Sequence, residues 1–440
     1  MAFAGAYRWT LVPLVAGTAW LAIVVAPRPW RAAHRGLDIA ITACLAAIGA
    51  QLLPLPSDTR RFLSPAADLV EAQLLLPVAE ASGRAARPLS LDPEQTAWAL
   101  GVGVALAVVY WSARTIFEQG GGLRTIGRAI AWAGLAMSVV AFVAHRTAPR
   151  LIYGFWAPIT RSDNPTPYGP FVNRNHFATW LLLAVPLVGG YVIARLSTRA
   201  ADRPFDVEGA LDARMVGLIG SVCLMTAALL SSMSRSGIVG LAVALLVLVV
   251  LAGRRVTVGR LAWLATGIVL LLAVATAYVD VPALLSRLDD AAPSGLGGRT
   301  AIWNETWPMA LDFARTGLGV GAFERGMLVY QQSPRSIFFN HAHNQYLQLL
   351  VEGGLLLLVP CAVSVIAGTR EIVLRLQRDR TPMFWMRAGA ASGLAAVCVQ
   401  SVWEVGLRMP ANAVLFAIVA AVATHDTTAS APAAPSVRRE

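Results

Sequence analysis

The 440-residue chain contains no lysine, so all 36 of its basic residues are arginine. Acidic residues number only 25, and charged residues together make up 14% of the chain against 56% hydrophobic. With a mean hydropathy of +0.60, this scarcity of charge excludes a soluble globular domain, where about 25% of residues are charged. The chain reads as an integral membrane protein. The arginine bias is what a GC-rich coding sequence produces, and it also suits phosphate, which the planar guanidinium fork binds better than an ammonium does. The formal charge of +11 does not imply nucleic acid, because the arginines are dispersed through short connections between apolar runs. Cysteine is scarce too: Cys44, Cys223, Cys361 and Cys398 lie in apolar segments at unrelated spacings. That excludes a disulfide framework and a cysteine metal site.

What is present is a series of apolar runs long enough to cross a bilayer, about 17 to 25 residues each. Eleven fall at 10–26, 37–55, 97–117, 126–144, 176–194, 215–230, 237–252, 261–279, 346–367, 388–403 and 411–424. The first lacks a cleavage-site pattern and reads as a helix, not a removed signal. The fold class predicted is therefore all-α and polytopic, one transmembrane domain over 1–425. The Ala/Ser/Pro/Thr-rich tail at 426–440 reads as disordered and cytoplasmic.

Arginine near span ends marks the cytoplasmic side. It gathers at 27–36, 120–125, 195–214, 253–260 and 370–387, which are alternate connections. The long connections, about 56–96, 145–175 and 280–345, are then all outside, with the N-terminus outside and the C-terminus inside. Within the first of these, residues 65–81 suggest an interfacial helix.

Four polar patches fall on the outer side of that topology. They are YGPFVNRNHF, with Asn173, Arg174, Asn175 and His176; SSMSRS, with Arg235; GGRTAIWNETW, with Arg299, Trp303 and Trp307; and NHAHNQ, with His341, His343 and Asn344. Arginines at span ends commonly snorkel, and asparagines near Pro170 commonly form turns. Arg235 is harder to dismiss, because it faces outward against the positive-inside trend among four serines. Asn344 is placed to cap the next helix, whose N-terminus would favour an anion beside His343. Within that helix Gln345, Gln348 and Glu352 form one polar stripe. A carboxylate there belongs in the bundle interior, away from lipid. The His341/His343 pair also admits a metal reading with Asp312, Glu324 or Glu352 as third ligand, but HxH alone carries little weight.

Outward arginines, neutral histidines, asparagines and tryptophans at a membrane edge suit a lipid-linked diphosphate sugar. Guanidinium groups bind diphosphate through charge-assisted pairs. A histidine near several arginines stays neutral near pH 7 and accepts protons. His343 is expected as the base that takes an acceptor hydroxyl's proton, with Arg235 and Arg299 stabilising the leaving diphosphate. His341, Asn344, Arg174, Asn175, Trp303 and Glu352 are expected to bind substrate. An already activated donor requires no cofactor, nucleotide or metal.

Four runs carry a resemblance to a known family: SRSG from Ser234, the Gly298-to-Trp303 run, GLGVGAF from Gly317, and HAHNQYLQLLVEGG from His341. In these the chain resembles the bacterial O-antigen ligase and polysaccharide polymerase superfamily over about 171–354. The resemblance implies a GT-C-type fold of about twelve transmembrane helices in the bacterial inner membrane, with a large periplasmic loop before a catalytic histidine matching His343. It also implies an undecaprenyl-diphosphate-linked glycan donor, an inverting metal-independent transfer, and arginines matching Arg235 and Arg299 on the diphosphate. The ligase histidine motif is met at His343, Asn344 and Gly354 and departs at Leu357. A ligase acting on a lipid A core sugar is the reading adopted. A polymerase is its alternative, and less favoured are a protein O-glycosyltransferase and a lipid-linked glycan transporter. Mid-span charge is too scarce for the last of these.

Overall fold

A computed structural model describes residues 2–74, 86–118, 122–158, 166–202, 212–276, 294–334 and 339–426. The described residues hold fifteen α-helices and one antiparallel pair of two-residue strands, Leu55–Pro56 with Ala86–Arg87. In chain order the helices are α1 Val12–Val25, α2 Arg35–Ala50, α3 Ser57–Leu63, α4 Ala67–Leu74, α5 Pro93–Glu118, α6 Gly122–Thr147, α7 Arg174–Asp202 and α8 Ala213–Ser231. Then follow α9 Arg235–Gly253, α10 Val258–Thr276, α11 Ser294–Asp312, α12 Phe323–Tyr330, α13 Gln345–Arg378, α14 Phe384–Gln400 and α15 Pro410–Thr424.

Each of the eleven apolar runs lies on one of these helices, in α1, α2, α5 to α10 and α13 to α15. Among the described residues, 8 helices are long and apolar enough to cross a membrane, and α15 is a shorter apolar helix. The chain is an all-α multi-pass membrane protein. Two of the predicted spans differ from what is found. α2 ends at Ala50 rather than near 55, because Pro54 and Pro56 withdraw amide donors and push the residues before them out of helical geometry. α13 is not one unbroken span: at Gly354 the backbone turns to φ 56, ψ −165 before the helix resumes and runs on to Arg378. Of the suggested interfacial helix, α4 is present. Residues 75–81, 280–293 and the tail from 427 lie outside the described residues.

The bundle is built around α7, which is 89% buried over its apolar window. α14 lies directly on it, and small residues make this possible. A Cβ at Gly389 would come 2.0 Å from the Pro186 carbonyl oxygen, and one at Gly190 would come 2.2 Å from that of Trp385. In lipid, where apolar burial alone drives little association, such backbone approach supplies the packing.

At one end of the bundle the arginine-rich connections are clasped together. Arg31 pairs with Glu118, His34 Nδ1 lies 2.8 Å from Glu371, and Arg114 donates to both oxygens of Asp38 at 2.9 and 2.8 Å. At the opposite end α4, α11, α12 and the segment before α13 share a separate apolar core, which includes Val70, Ile302, Phe313, Phe323, Ala342 and Val351. The four polar patches sit where this cap meets the helix ends.

Candidate functional site at the cap face

Three helices begin here. Asn173 Oδ1 accepts from the Asn175 amide at 2.8 Å at the start of α7, and Ser234 Oγ accepts from Gly237 N at 3.2 Å at the start of α9. At the start of α13, Asn344 Oδ1 accepts from the amides of Tyr346 and Leu347 at 3.0 Å each, which is the cap its position predicted. The first residues of α7 and α9 are Arg174 and Arg235. A guanidinium at the positive end of a helix dipole is unfavourable unless an anion is to be held there.

The C-terminus of α14 joins these starts. Gln345 N donates to the Ser401 carbonyl at 2.8 Å, and the Thr179 hydroxyl donates to Gln400 Oε1 at 2.8 Å. Gln400 Nε2 lies 3.5 Å from both the Ser236 hydroxyl and the Asn175 carbonyl. Asn412 donates to the carbonyls of His176 and Gly406 at 2.9 Å each. Asn175, His176, Thr179, Ser236, Gln400, Gly406 and Asn412 thus share one polar layer. Arg174 and Arg299 act on Glu404 beside it, Arg299 acts on His343, and Arg235 is the neighbour in sequence of Ser236.

The histidine segment is held through Ala342. Its amide donates to Gln348 Oε1 at 2.7 Å, and its carbonyl accepts from Trp303 Nε1 at 2.8 Å. Gln348 Nε2 in turn donates to Glu352 Oε1 at 2.8 Å, and Arg408 holds both oxygens of Glu352 at 2.9 Å. Trp303 and Glu352, expected to bind substrate, are therefore engaged within the protein. Gln348 and Glu352 of the polar stripe on α13 are satisfied together with Arg408, whereas Gln345 Oε1 is buried without a hydrogen-bond partner among the described residues. The break at Gly354 sets the stripe off from the rest of the helix.

His343 sits at φ 48, in the left-handed region. For a residue with a Cβ this costs about 1–3 kcal/mol, a strain that clusters at functional sites. The Nδ1 atoms of His341 and His343 are buried without a hydrogen-bond partner among the described residues. Burial first, and Arg299 second, push the His343 imidazole down to about 4, so it is neutral at pH 7. The neutral state was predicted from the arginines, but desolvation is the larger cause. His341 is lowered well below the ordinary histidine value by burial, then by Arg408, His343 and His176. Both rings offer proton-accepting nitrogens. The third-ligand candidates for a metal are otherwise engaged where described: Asp312 accepts from the Tyr330 hydroxyl and Glu352 pairs with Arg408. Among the described residues no group of three His, Cys, Asp or Glu side chains is placed to hold a metal ion.

The residue missed from the sequence is Glu404. It is 1% exposed, pairs with Arg299, and accepts from Asn175 Nδ2 at 2.8 Å. Burial pushes its carboxyl up to about 7, against the lowering influence of Arg299, Asn175 and Arg174. A signal was available: SVWEVGLRM, between α14 and α15, places Glu404 and Arg408 in a short outer connection, the same out-of-place charge that marked Arg235.

Arginines, histidines held neutral by burial and helix starts thus meet at one face of a multi-pass helical protein. Residues 220–361 match the family model described as O-Antigen ligase. That match supports the resemblance to the O-antigen ligase superfamily over the region that carries it. The match takes in Arg235, Arg299, Trp303, His341, His343, Asn344 and Glu352, whereas Arg174, Asn175 and Glu404 lie outside it. No curated protein matches the chain.

Proposed function

We propose that the chain is a metal-independent inverting glycosyltransferase of the ligase type. It moves a glycan from undecaprenyl diphosphate to a hydroxyl of a lipid A core sugar at the periplasmic face of the bacterial inner membrane. The acceptor oxygen attacks the anomeric carbon while its proton passes to His343. The bond from that carbon to the diphosphate breaks, and Arg235 and Arg299 take up the charge that grows on the leaving group. The remaining site residues divide the work of holding the substrate: Arg174 and Asn175 from α7, and Asn344 by orienting the start of α13.

The observation that carries this reading is His343 itself, a neutral imidazole in a strained backbone position within the influence of Arg299. The arginine bias of the opposite connections supports the periplasmic placement. The test is reconstitution of the purified chain with lipid-linked glycan and lipid A core. Capped lipid A supports the ligase, and elongated carrier-linked glycan without capping supports the polymerase alternative, to which the departure at Leu357 points. Translocation of the glycan across the bilayer without consumption of the donor would refute transfer altogether.

A further inference from the structure

Glu404 lies in an unusual position for an acid. One carboxylate oxygen serves both Arg299 and Asn175, while the other, Oε2, is buried without a hydrogen-bond partner among the described residues. The Arg299 side chain is 26% exposed, and one of its terminal nitrogens is committed to Glu404. The charged and polar groups around this carboxylate come from several elements. Arg299 belongs to α11, Arg174 and Asn175 to α7, and His343, which shares Arg299, to the segment before α13. Arg408, on the same connection as Glu404, is engaged with Glu352.

We propose that Glu404 is a proton-linked positioning residue that keeps Arg299 in place for the donor and becomes the neutral acid when the donor's diphosphate takes over that guanidinium. The inference rests on the donor reading above. A diphosphate recruits a guanidinium through paired bonds to both terminal nitrogens, and so draws Arg299 away from the carboxylate. An ionised, buried Glu404 would then keep the Asn175 amide and the influence of Arg174 without its ion pair, and a poorly compensated buried charge neutralises instead of persisting. The proton comes from solvent and forms the O–H bond on Glu404. Its carboxyl already titrates close to neutrality, so the exchange falls in the physiological range. Donor binding therefore takes up a proton and weakens as pH rises.

The test is calorimetric titration of the full chain in detergent with undecaprenyl diphosphate at pH 8, in two buffers of different ionisation heat, repeated with Glu404→Gln. The glutamine keeps an oxygen for Arg299 and Asn175 but has no acid to neutralise. Wild type should take up about one proton more per donor than the variant, and its apparent Kd should weaken relative to the variant's by about tenfold per pH unit above pH 7. Equal proton uptake in the two proteins overturns the proposal, as does binding without uptake in wild type, which needs no variant to observe. Both results leave the donor reading standing. Failure of wild type to bind the lipid diphosphate at any pH overturns the donor reading and this proposal with it.

Discussion

Arg408→Leu tests whether the histidine segment is positioned by a buried charge pair. In the pair Glu352 is 5% exposed and Arg408 24% exposed. Removing Arg408 leaves the Glu352 carboxylate with the Gln348 amide alone. Orphaning a fully buried charge costs about 3–5 kcal/mol; the surviving Gln348 bond and the partial exposure of Arg408 put this case near the lower figure, about 3 kcal/mol. Glu352→Gln leaves the more exposed partner uncompensated, where water can reach it, and should cost about 1 kcal/mol. Combining the two removes both charges and should cost about 2 kcal/mol instead of the sum, a coupling of about 2 kcal/mol between contacting residues. The unfolding free energies can be read by SDS titration in mixed micelles, with turnover measured on the folded fraction. Turnover should fall too, because Gln348 also holds the Ala342 amide between the two histidines. A displacement of about 1 Å at a reacting group costs about 100-fold. Additive costs in the double variant, or full turnover by folded Arg408→Leu, would refute the positioning argument.

His343→Ala should abolish transfer while the diphosphate lipid still binds, since a proton acceptor is lost and a phosphate contact is not; near-normal turnover would remove His343 from its role. Arg235→Ala and Arg299→Ala should each reduce kcat/KM by an amount equivalent to about 2–4 kcal/mol. Lysine at either position should restore only part of that, because it lacks the planar fork; full rescue by lysine would deny a paired contact. The pH dependence follows from His343, whose base form is present above about 4. At saturating donor, turnover should hold from pH 8 down towards 5 and fall as pH drops through 4, and a midpoint near 6.5, the ordinary histidine value, would mean that the imidazole is not desolvated.

The helix content was legible because apolar runs of spanning length have few alternatives in lipid, where every backbone group must be satisfied within the segment. The expectation that Arg235, Arg299 and the histidines share one end came from the arginine bias, since charge on the wrong side of a membrane protein is rare enough to notice, and Arg299 does act on His343. Contacts between distant segments were not. Trp303 and Glu352 read as substrate groups because their polarity was visible and their partners, the Ala342 carbonyl and Arg408, were not. Glu404 escaped notice for a related reason: a lone acid at a span end looks solvated until α7 and α11 are seen to close over it. The helix break at Gly354 was hidden by LLVEGGLLLL, whose hydropathy runs on unchanged through the glycines.

That break gives the last prediction, because it ties the histidine segment to the cap. With the helix ladder interrupted at Gly354, the amides of Leu355 and Leu356 donate to the carbonyls of Ala314 and Arg315 at 2.7 and 3.0 Å. In return Leu318 and Gly319 donate to the carbonyls of Val351 and Glu352 at 3.0 and 3.1 Å. Gln51 completes the joint, donating to the Thr316 and Glu352 carbonyls at 2.7 and 2.8 Å and accepting from Val320 N at 3.1 Å. The φ 56, ψ −165 of Gly354 is a conformation essentially confined to glycine. A Cβ there would lie 2.4 Å from Gly317 N and 2.6 Å from Thr316 N, both backbone atoms that cannot rotate aside. Gly354→Ala should therefore cost more than the roughly 1–3 kcal/mol of the dihedral strain alone, and the folded remainder should lose turnover as the joint opens. Gly217→Ala is the control: its added Cβ meets nothing within 4 Å, and in a helix interior the change should be neutral or stabilising by up to about 1 kcal/mol. Equal stability of the two variants by SDS titration would mean that the 314–320 turn does not grip α13, and the route from Gly354 to His343 would have to be abandoned.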